Sequence, residues 1–306
     1  MVTSFHDLIS KVKECSKKTV AVAVAEDDAV LEAVHAAKEQ GIADAILVGD
    51  EEKIRAVAAS LGIDPDEYQI VNQPDHTLAA RTAVKLAHDG VADMYMKGLL
   101  DTKSFLKSVL DKEVGLRTGK PLSHVAVFDV EGIPQLLFLS DVAFMTYPTL
   151  EDKAHIIENT VAVCHACGIE CPKVAPLAAV EAVNPKMPAT VDAAELTKMN
   201  EEGKITGCIV DGPLSLDIAI DPEAAAHKGA SNRKVAGDAD VLLFPDIHAG
   251  NLVYKCLVHT AKVENGCILT GTKVPVILTS RSDSFQTKVN SIALAAVVAE
   301  AMKEQG

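Results

Sequence analysis

The stretch TVAVAVAEDDAVLEAVHAAKEQGIADAILV, Thr19 to Val48, decides the fold class. Thr19 to Ala25 is a short valine-rich run, read as a buried strand. Ala29 to Gln40 then carries apolar residues at helical spacing and stops at Gly41, a residue free to take the left-handed turn that ends many helices. Ala45 to Val48 is a second strand, so the whole is a βαβ unit. The same alternation continues outward. Glu51 to Leu61 reads as a helix ended by Gly62, Tyr68 to Val71 as a strand, Thr77 to Asp89 as a helix ended by Gly90, and Asp93 to Met96 as a strand. Repeated βα order implies a mainly parallel sheet with helices on both faces.

Between Ser123 and Leu139 the pattern changes to two apolar runs, HVAVFDV and IPQLLFL, joined by Glu131 and Gly132, which is a hairpin signature. A second α/β series follows. Helices are expected over Leu150 to Cys167, Asp192 to Glu202, Pro222 to His227 and Asn251 to Lys262, and strands over Lys173 to Leu177, Gly207 to Asp211 and Asp240 to Phe244. Val274 to Leu278 is a closing strand. The last helix, about Asp283 to Glu304, places Val289, Ile292, Ala293, Ala296 and Val297 on one face and should pack back on the first unit. The expected fold is a two-domain α/β/α arrangement with mainly parallel sheets, residues 1–135 plus 280–306 forming one domain and 136–279 the other.

With 48% hydrophobic and 24% charged residues over 306 positions, the chain can bury a large core and reads as soluble and globular. Its 29 Lys and Arg against 43 Asp and Glu give a net charge of −14, which argues against a general nucleic-acid or anionic-membrane binder. An anionic ligand must then be held by a local cluster of donors. The amino terminus MVTSFHDLIS lacks a signal-peptide pattern and the apolar run Ile292 to Ala299 is too short to cross a bilayer, so a cytoplasmic protein is expected. Seven cysteines scattered through the chain fit reduced thiols. Cys164, Cys167 and Cys171, beside His165, have metal-like spacing, but no second Cys or His pair follows, and Cys164 with Cys167 fit one apolar helix face; no metal is expected.

In open parallel sheets ligands sit beyond the carboxyl ends of the strands. Polar residues collect there: Lys97 with Gly98, Asp211 with Gly212, Asp246 to Asn251, and Ser280 with Arg281. The last pair, in VPVILTSRSDSFQTK from Val274 to Lys288, lies between a strand and a helix. Unpaired N–H groups and the helix dipole favour an anion at such a place, and Arg adds a planar fork of donors. Each cluster also has a structural reading. Gly98 and Gly212 serve tight turns, Asp211 and Asp246 serve as caps, Asn251 as an N-cap, and Ser282 or Asp283 as the cap of the final helix, with Arg281 a solvated charge. No G-x-G-x-x-G follows the first strand, and neither a nucleophile elbow nor an H-E-x-x-H helix occurs. GLRTGKP, Gly115 to Pro121, is not a P-loop, because its glycine spacing is one residue short and Pro121 occupies the magnesium-binding hydroxyl position. His124 and His248 near candidate loops fit packing histidines as well as ligand contacts.

Three segments are similar to the phosphate acyltransferase family that includes phosphate acetyltransferase and phosphate butyryltransferase. They are Glu26 to Ile54, KVAPLAAVEAVNPKMPAT from Lys173 to Thr190 followed by DGPLSLDIAI, and VAGDADVLLFPDIHAGNLVYK from Val235 to Lys255 followed by VPVILTSRSDS. MKGLLDT from Met96 to Thr102, GLRTGKPLSHVAVF and TSRSDS resemble the butyryltransferase branch more closely. The resemblance implies a fold like that of isocitrate and isopropylmalate dehydrogenases, an active site in the interdomain cleft, and a homo-oligomer built on a dimer. It implies the reaction acyl-CoA plus phosphate gives acyl phosphate plus CoA, with no cofactor beyond the coenzyme A thioester that serves as substrate. Ser280 and Arg281 match the family's active-site pair. Arg281 would hold the phosphoryl group and Ser280 would hydrogen-bond the reacting carbonyl or thiol. Asn251 would hold phosphate or acyl oxygens, Lys97, Gly98, Thr102 and Ser123 would line the opposite wall, and Lys255 would bind substrate. The family's acetyltransferase branch carries an Asp that falls here near Thr287, which cannot act as a base. Asp283 is the nearest carboxylate, and it is either the thiol base or the helix cap. HKGASNRKVAG, His227 to Gly237, departs from the family pattern: Arg233 and Lys234 either mark a different loop or add positive charge for CoA phosphates, and Ser231 stays an open site residue. The competing readings are a phosphate acetyltransferase, a metal-dependent dehydrogenase or decarboxylase on the same fold, and a non-catalytic CoA-binding protein.

Overall fold

The computed structural model describes residues 2–279 and 283–305. In chain order the first elements are α1 (Phe5–Val12), β1 (Lys18–Ala23), α2 (Asp28–Glu39), β2 (Ala43–Gly49), α3 (Glu51–Ser60), β3 (Gln69–Asn72), α4 (His76–His88), β4 (Met94–Lys97) and α5 (Thr102–Val109). Next come β5 (Ser123–Val130), β6 (Leu137–Ser140), α6 (Leu150–Ala166), β7 (Lys173–Pro176), α7 (Pro188–Glu201), β8 (Ile209–Val210), α8 (Leu216–Ile220), α9 (Pro222–His227), β9 (Val241–Leu243) and α10 (Ile247–Thr260). The chain closes with β10 (Val263–Thr270), β11 (Val276–Ile277) and α11 (Phe285–Gln305).

Two compact units result: a flanking unit of residues 5–120 and 265 onward, and an inserted unit of residues 121–264 with the short stretch before Phe5. The divisions fall at 120 and 264, whereas the sequence suggested 135 and 279. The whole β5–β6 hairpin lies in the inserted unit, and the antiparallel β10–β11 pair lies almost wholly in the flanking one. The flanking strands run β3-β2-β1-β4-β11-β10, parallel except for β10 against β11. In the inserted unit the order is β5-β6-β9-β7-β8, parallel except for the hairpin.

The helix starts follow from aspartates. Asp27, Asp50, Asp75, Asp101, Asp221 and Asp246 each accept first-turn amide N–H groups as N-caps, so part of the acidic excess serves local structure. The α6 start is a capping box of Thr149 and Asp152. In the flanking core Tyr95 stacks on Phe105 with centroids 4.6 Å apart, and its hydroxyl meets Ser108 Oγ at 2.8 Å; burial pushes the Tyr95 phenol up. The final helix α11 was expected to bury one face. Instead Val289 and Ile292 through Ala299 are buried in succession, because α11 is enclosed by α1, α2 and β11. The strand β10 and the helices α1, α5 and α8 went unread in the sequence. Among the described residues no helix is long and apolar enough to cross a membrane.

Candidate active site

The flanking sheet reverses its order between β1 and β4. From β1 the chain moves to β2 and β3, then returns to β4 on the other side of β1. Such a switch opens a crevice beyond the two carboxyl ends, the usual ligand position in this architecture. At the end of β1, Val24 has φ 56°, a left-handed conformation that a β-branched residue adopts only under about 1–3 kcal/mol of strain. Its carbonyl accepts from Leu99 N at 2.7 Å, and the Ala23 carbonyl accepts from Gly98 N at 2.9 Å. A Cβ at position 98 would lie 2.2 Å from the Val24 carbonyl oxygen, so glycine is what lets the two strand ends meet. Gly98→Ala should therefore lose about 1–3 kcal/mol in denaturant unfolding through overpacking. An unchanged midpoint would refute that close approach.

A pocket of about 120 Å³ occupies the crevice. Lys97 and Gly98 line it from β4, Asp27, Ala29 and Val30 from the start of α2, Thr279 from the end of β11, and Lys288 from α11. Both lysines are buried, Lys97 at 6% and Lys288 at 4% exposure. The Lys288 Nζ donates to the Asp283 carbonyl at 2.7 Å. Asp27 is already engaged as the α2 cap, accepting from Val30 N at 3.0 Å. Ser280 and Arg281 lie outside the described residues; in the chain they directly follow pocket-lining Thr279. Ser284 receives a first-turn amide of α11, Thr287 N donating to Ser284 Oγ at 3.1 Å; Ser282, one of the two cap candidates from the sequence, lies outside the described residues. Asp283 is half-buried beside Ser284.

Thr102 does not share this pocket. It is exposed at the first position of α5, beside the cap Asp101, and lines a separate shallow depression with Lys103, Leu106 and Lys107. Hydrogen bonds from Ser104 hold the Asp101 carboxyl below the usual carboxylate range.

In the inserted unit the comparable strand ends belong to β6 and β9. Asp141, 2% exposed, accepts from His124 N at 2.9 Å and from Ala143 N and Phe144 N at 2.8 Å each. The α10 turn presses on it, since a Cβ on Gly250 would lie 2.4 Å from the Asp141 carbonyl oxygen. The helix begins four residues earlier than the sequence suggested because Asp246, accepting from His248 N and Ala249 N, is its cap. Asn251 is therefore inside α10 and not an N-cap; its Nδ2 donates to Val142 O at 3.0 Å. One turn on, Lys255 Nζ sits 5.3 Å from the Tyr254 ring centroid, a cation–π contact. His248 Nε2 meets the Tyr147 hydroxyl at 2.9 Å. Ser123 has no exposed surface, and its hydroxyl accepts from Asn159 Nδ2 at 3.0 Å within the unit's own packing.

The open question over Arg233 and Lys234 has a structural answer. Arg233 is committed to Asp211 through Nε at 2.9 Å and Nη2 at 2.7 Å, and Lys234 pairs with Glu201 at 3.0 Å. Arg233 thus neutralises a buried carboxylate, and Ser231 beside it is exposed. Cys164 and Cys167 are buried while Cys171 is exposed, and burial pushes the Cys164 thiol well up. Among the described residues no group of three or more His, Cys, Asp or Glu is placed to hold a metal ion.

Residues 4–80 and 73–296 match the family described as Phosphate acetyl/butaryl transferase. The chain belongs to this family. As a family member it is an acyltransferase. The phosphate butyryltransferase of Clostridium acetobutylicum is 58% identical over 299 residues, spanning 98% of this chain and 99% of that protein. A crystal structure of a branched-chain phosphotransacylase from Enterococcus faecalis V583 superposes with TM-score 0.82 at 35% identity, covering 92% of this acyltransferase and 99% of the other chain. The 4-hydroxythreonine-4-phosphate dehydrogenase of Klebsiella pneumoniae, at 13% identity and TM-score 0.56 over 93% of this chain and 100% of its own, shares the fold alone and bears out its likeness to a dehydrogenase architecture.

Reading the acyltransferase sequence at four strand ends missed Asp27, Asp141 and Lys288. Two of them had a signal. Asp27 follows β1 and Asp141 follows β6, strand ends that the same rule would have covered.

Proposed function

We propose that the acyltransferase converts acyl-CoA and inorganic phosphate to acyl phosphate and CoA, with butyryl or a similar short-chain acyl group as substrate. The observation that carries this is 58% identity to a phosphate butyryltransferase across nearly the whole of both chains. A phosphate oxygen attacks the thioester carbonyl, the C–S bond breaks, and the thiolate leaves to be protonated; the reverse reaction removes that proton. No electron changes hands, so the chemistry calls for positioned donors and a base, not a redox partner. Arg281 holds the phosphoryl oxygens and Ser280 hydrogen-bonds the reacting carbonyl or thiol. Asp283 exchanges the thiol proton. Lys97 and Gly98 line the phosphate side, and Asn251 and Lys255 bind substrate from α10, whereas the exposed Thr102 and the fully buried Ser123 are left out of the substrate wall. A cytoplasmic homo-oligomer built on a dimer belongs to the same proposal.

Phosphate acetyltransferase is the second reading, since a methylene in an apolar pocket discriminates by only ~1–3 kcal/mol. Release of free CoA thiol from acetyl-, butyryl- and branched acyl-CoA, with and without phosphate, tests both. Phosphate-dependent release fastest with butyryl-CoA is expected. Release fastest with acetyl-CoA would move the assignment to the second reading, and no release with any thioester would refute acyl transfer.

A further inference from the structure

The first turn of α11 buries polar groups where apolar ones would pack as well. Thr287 and Asn265, each 5% exposed, meet where α11 touches β10, and the fully buried Ser291 follows one turn on. A Cβ at Gly266 would lie 2.9 Å from the Asn290 carbonyl carbon, so helix and strand approach here backbone to backbone. A buried hydroxyl or amide costs free energy unless it is hydrogen-bonded. The Thr287 hydroxyl donates to Asn265 Oδ1 at 2.8 Å. A hydroxyl has one proton to give, so the 2.9 Å contact between Ser284 Oγ and Thr287 Oγ1 is a bond that Ser284 donates. Ser284 Oγ in turn accepts from Thr287 N at 3.1 Å. Behind them, Ser291 Oγ donates to the Thr287 carbonyl at 2.6 Å and accepts from Cys267 N of β10 at 2.9 Å. One chain of bonds therefore runs from β10 through Thr287 to Ser284, the residue after Asp283.

We infer that Thr287 and Asn265 are positioning residues, which hold Asp283 through Ser284 where it can exchange the thiol proton. The inference rests on the reading of Asp283 as the base. Apolar packing tolerates several arrangements of similar energy, whereas a satisfied network of buried hydrogen bonds specifies one. Ser284 is bound to Thr287 twice, once as donor and once as acceptor, which restricts its rotamer and the main chain that carries it. The adjoining carbonyls are held as well: Lys288 Nζ donates to the Asp283 carbonyl at 2.7 Å and Lys288 N to the Ser284 carbonyl at 3.3 Å. Asp283 is half-buried and precedes the helix, so without these bonds its carboxylate would ride on a helix end free to fray. Thr287 has no ionisable group at neutral pH, and its part in the reaction is to place a neighbour.

Steady-state kinetics of Thr287→Val, Asn265→Ala and Ser284→Ala, each alone and combined with Asp283→Asn, test the assignment, with Thr287→Ser as the conservative variant. Thr287→Val keeps the shape and loses the hydroxyl. Ser284→Ala changes an exposed position, so it reports even where the two buried variants fail to fold. Each of the three is expected to lower kcat about ten- to a hundredfold, the effect of misplacing a reacting group by about 1 Å, with KM for phosphate and acyl-CoA within about threefold of wild type. Thr287→Ser, which keeps the bonds, should retain kcat within about threefold. In the Asp283→Asn background the same three changes should lower kcat by less than about twofold more, because the group they place is already gone. A merely structural role would lower kcat by the same factor in both backgrounds, and that result would overturn the inference. If Asp283→Asn itself keeps wild-type turnover, the base reading falls and the positioning role falls with it. If Asp283→Asn loses turnover while Thr287→Val and Ser284→Ala keep it, the base stands and the positioning role is refuted.

Discussion

Replacing Asp283 by Asn is expected to lower turnover about 10²- to 10⁴-fold, the usual contribution of a positioned general base or acid, while leaving the melting midpoint where it was. The two halves of that expectation separate because of Ser284. Were Asp283 the cap of α11, its loss of charge would weaken the helix as well as the chemistry. The cap is instead the Ser284 hydroxyl, which accepts from Thr287 N at 3.1 Å, and the Asp283 main chain is held by Lys288 through its carbonyl, a bond that Asn preserves. The loss should be larger for thiol attack on acyl phosphate, where the base must take a proton, and addition of a more acidic thiol in place of CoA should recover part of it. Turnover within threefold of wild type in both directions would remove Asp283 from the mechanism and send the search for a base elsewhere. Ser284→Ala is the complementary control: it should cost about 1 kcal/mol of stability through the lost cap.

The parallel α/β architecture was legible because its signal is periodic. Glycines 41, 62 and 90 end α2, α3 and α4 where expected, and valine-rich runs mark the buried strands. What escaped was aperiodic or short. Strand β10, VENGCILT, carries a polar VENG half and lacks a clean alternation, so only pairing with β11 declares it. Strand β8 is two residues long in the structure against the longer run expected. The α10 boundary was misread because Gly250 and Asn251 look like a turn, whereas the glycine is demanded by the Asp141 carbonyl pressing on the helix. At the site, residue type and strand-end position pointed to Lys97 and Gly98, which the structure places in one pocket. Thr102 lies five positions beyond Lys97 but on another surface, because α5 starts at once and carries it out to solvent.

Glu300→Ala should be the most destabilising single change in the flanking unit outside its apolar core, at about 3–5 kcal/mol, because it strands a buried ammonium. Lys18, at the start of β1, keeps its side chain at 1% exposure and is ion-paired with Glu300 near the end of α11. Its other partners are the Ser16 carbonyl at 3.0 Å and the Ser16 hydroxyl, neither of which carries charge. Glu300 is 23% exposed, so the reverse change, Lys18→Met, leaves a carboxylate that water can reach and should cost less. The double variant Lys18→Met with Glu300→Leu should recover most of the stability. The hydrogen bond from Lys18, helped by those from Ser16, holds the Glu300 carboxyl down to about 2 from its ordinary 4.5. Between those values the unfolded chain binds a proton that the folded chain does not, so acid favours unfolding. The pair's contribution is complete above about pH 4.5 and drains away as the pH falls toward 2. Denaturant unfolding of wild type and Glu300→Gln should therefore differ most near neutrality and converge between those limits. Curves that stay parallel down to pH 2, or a Glu300→Ala variant no less stable than Lys18→Met, would show that the buried lysine does not depend on this carboxylate.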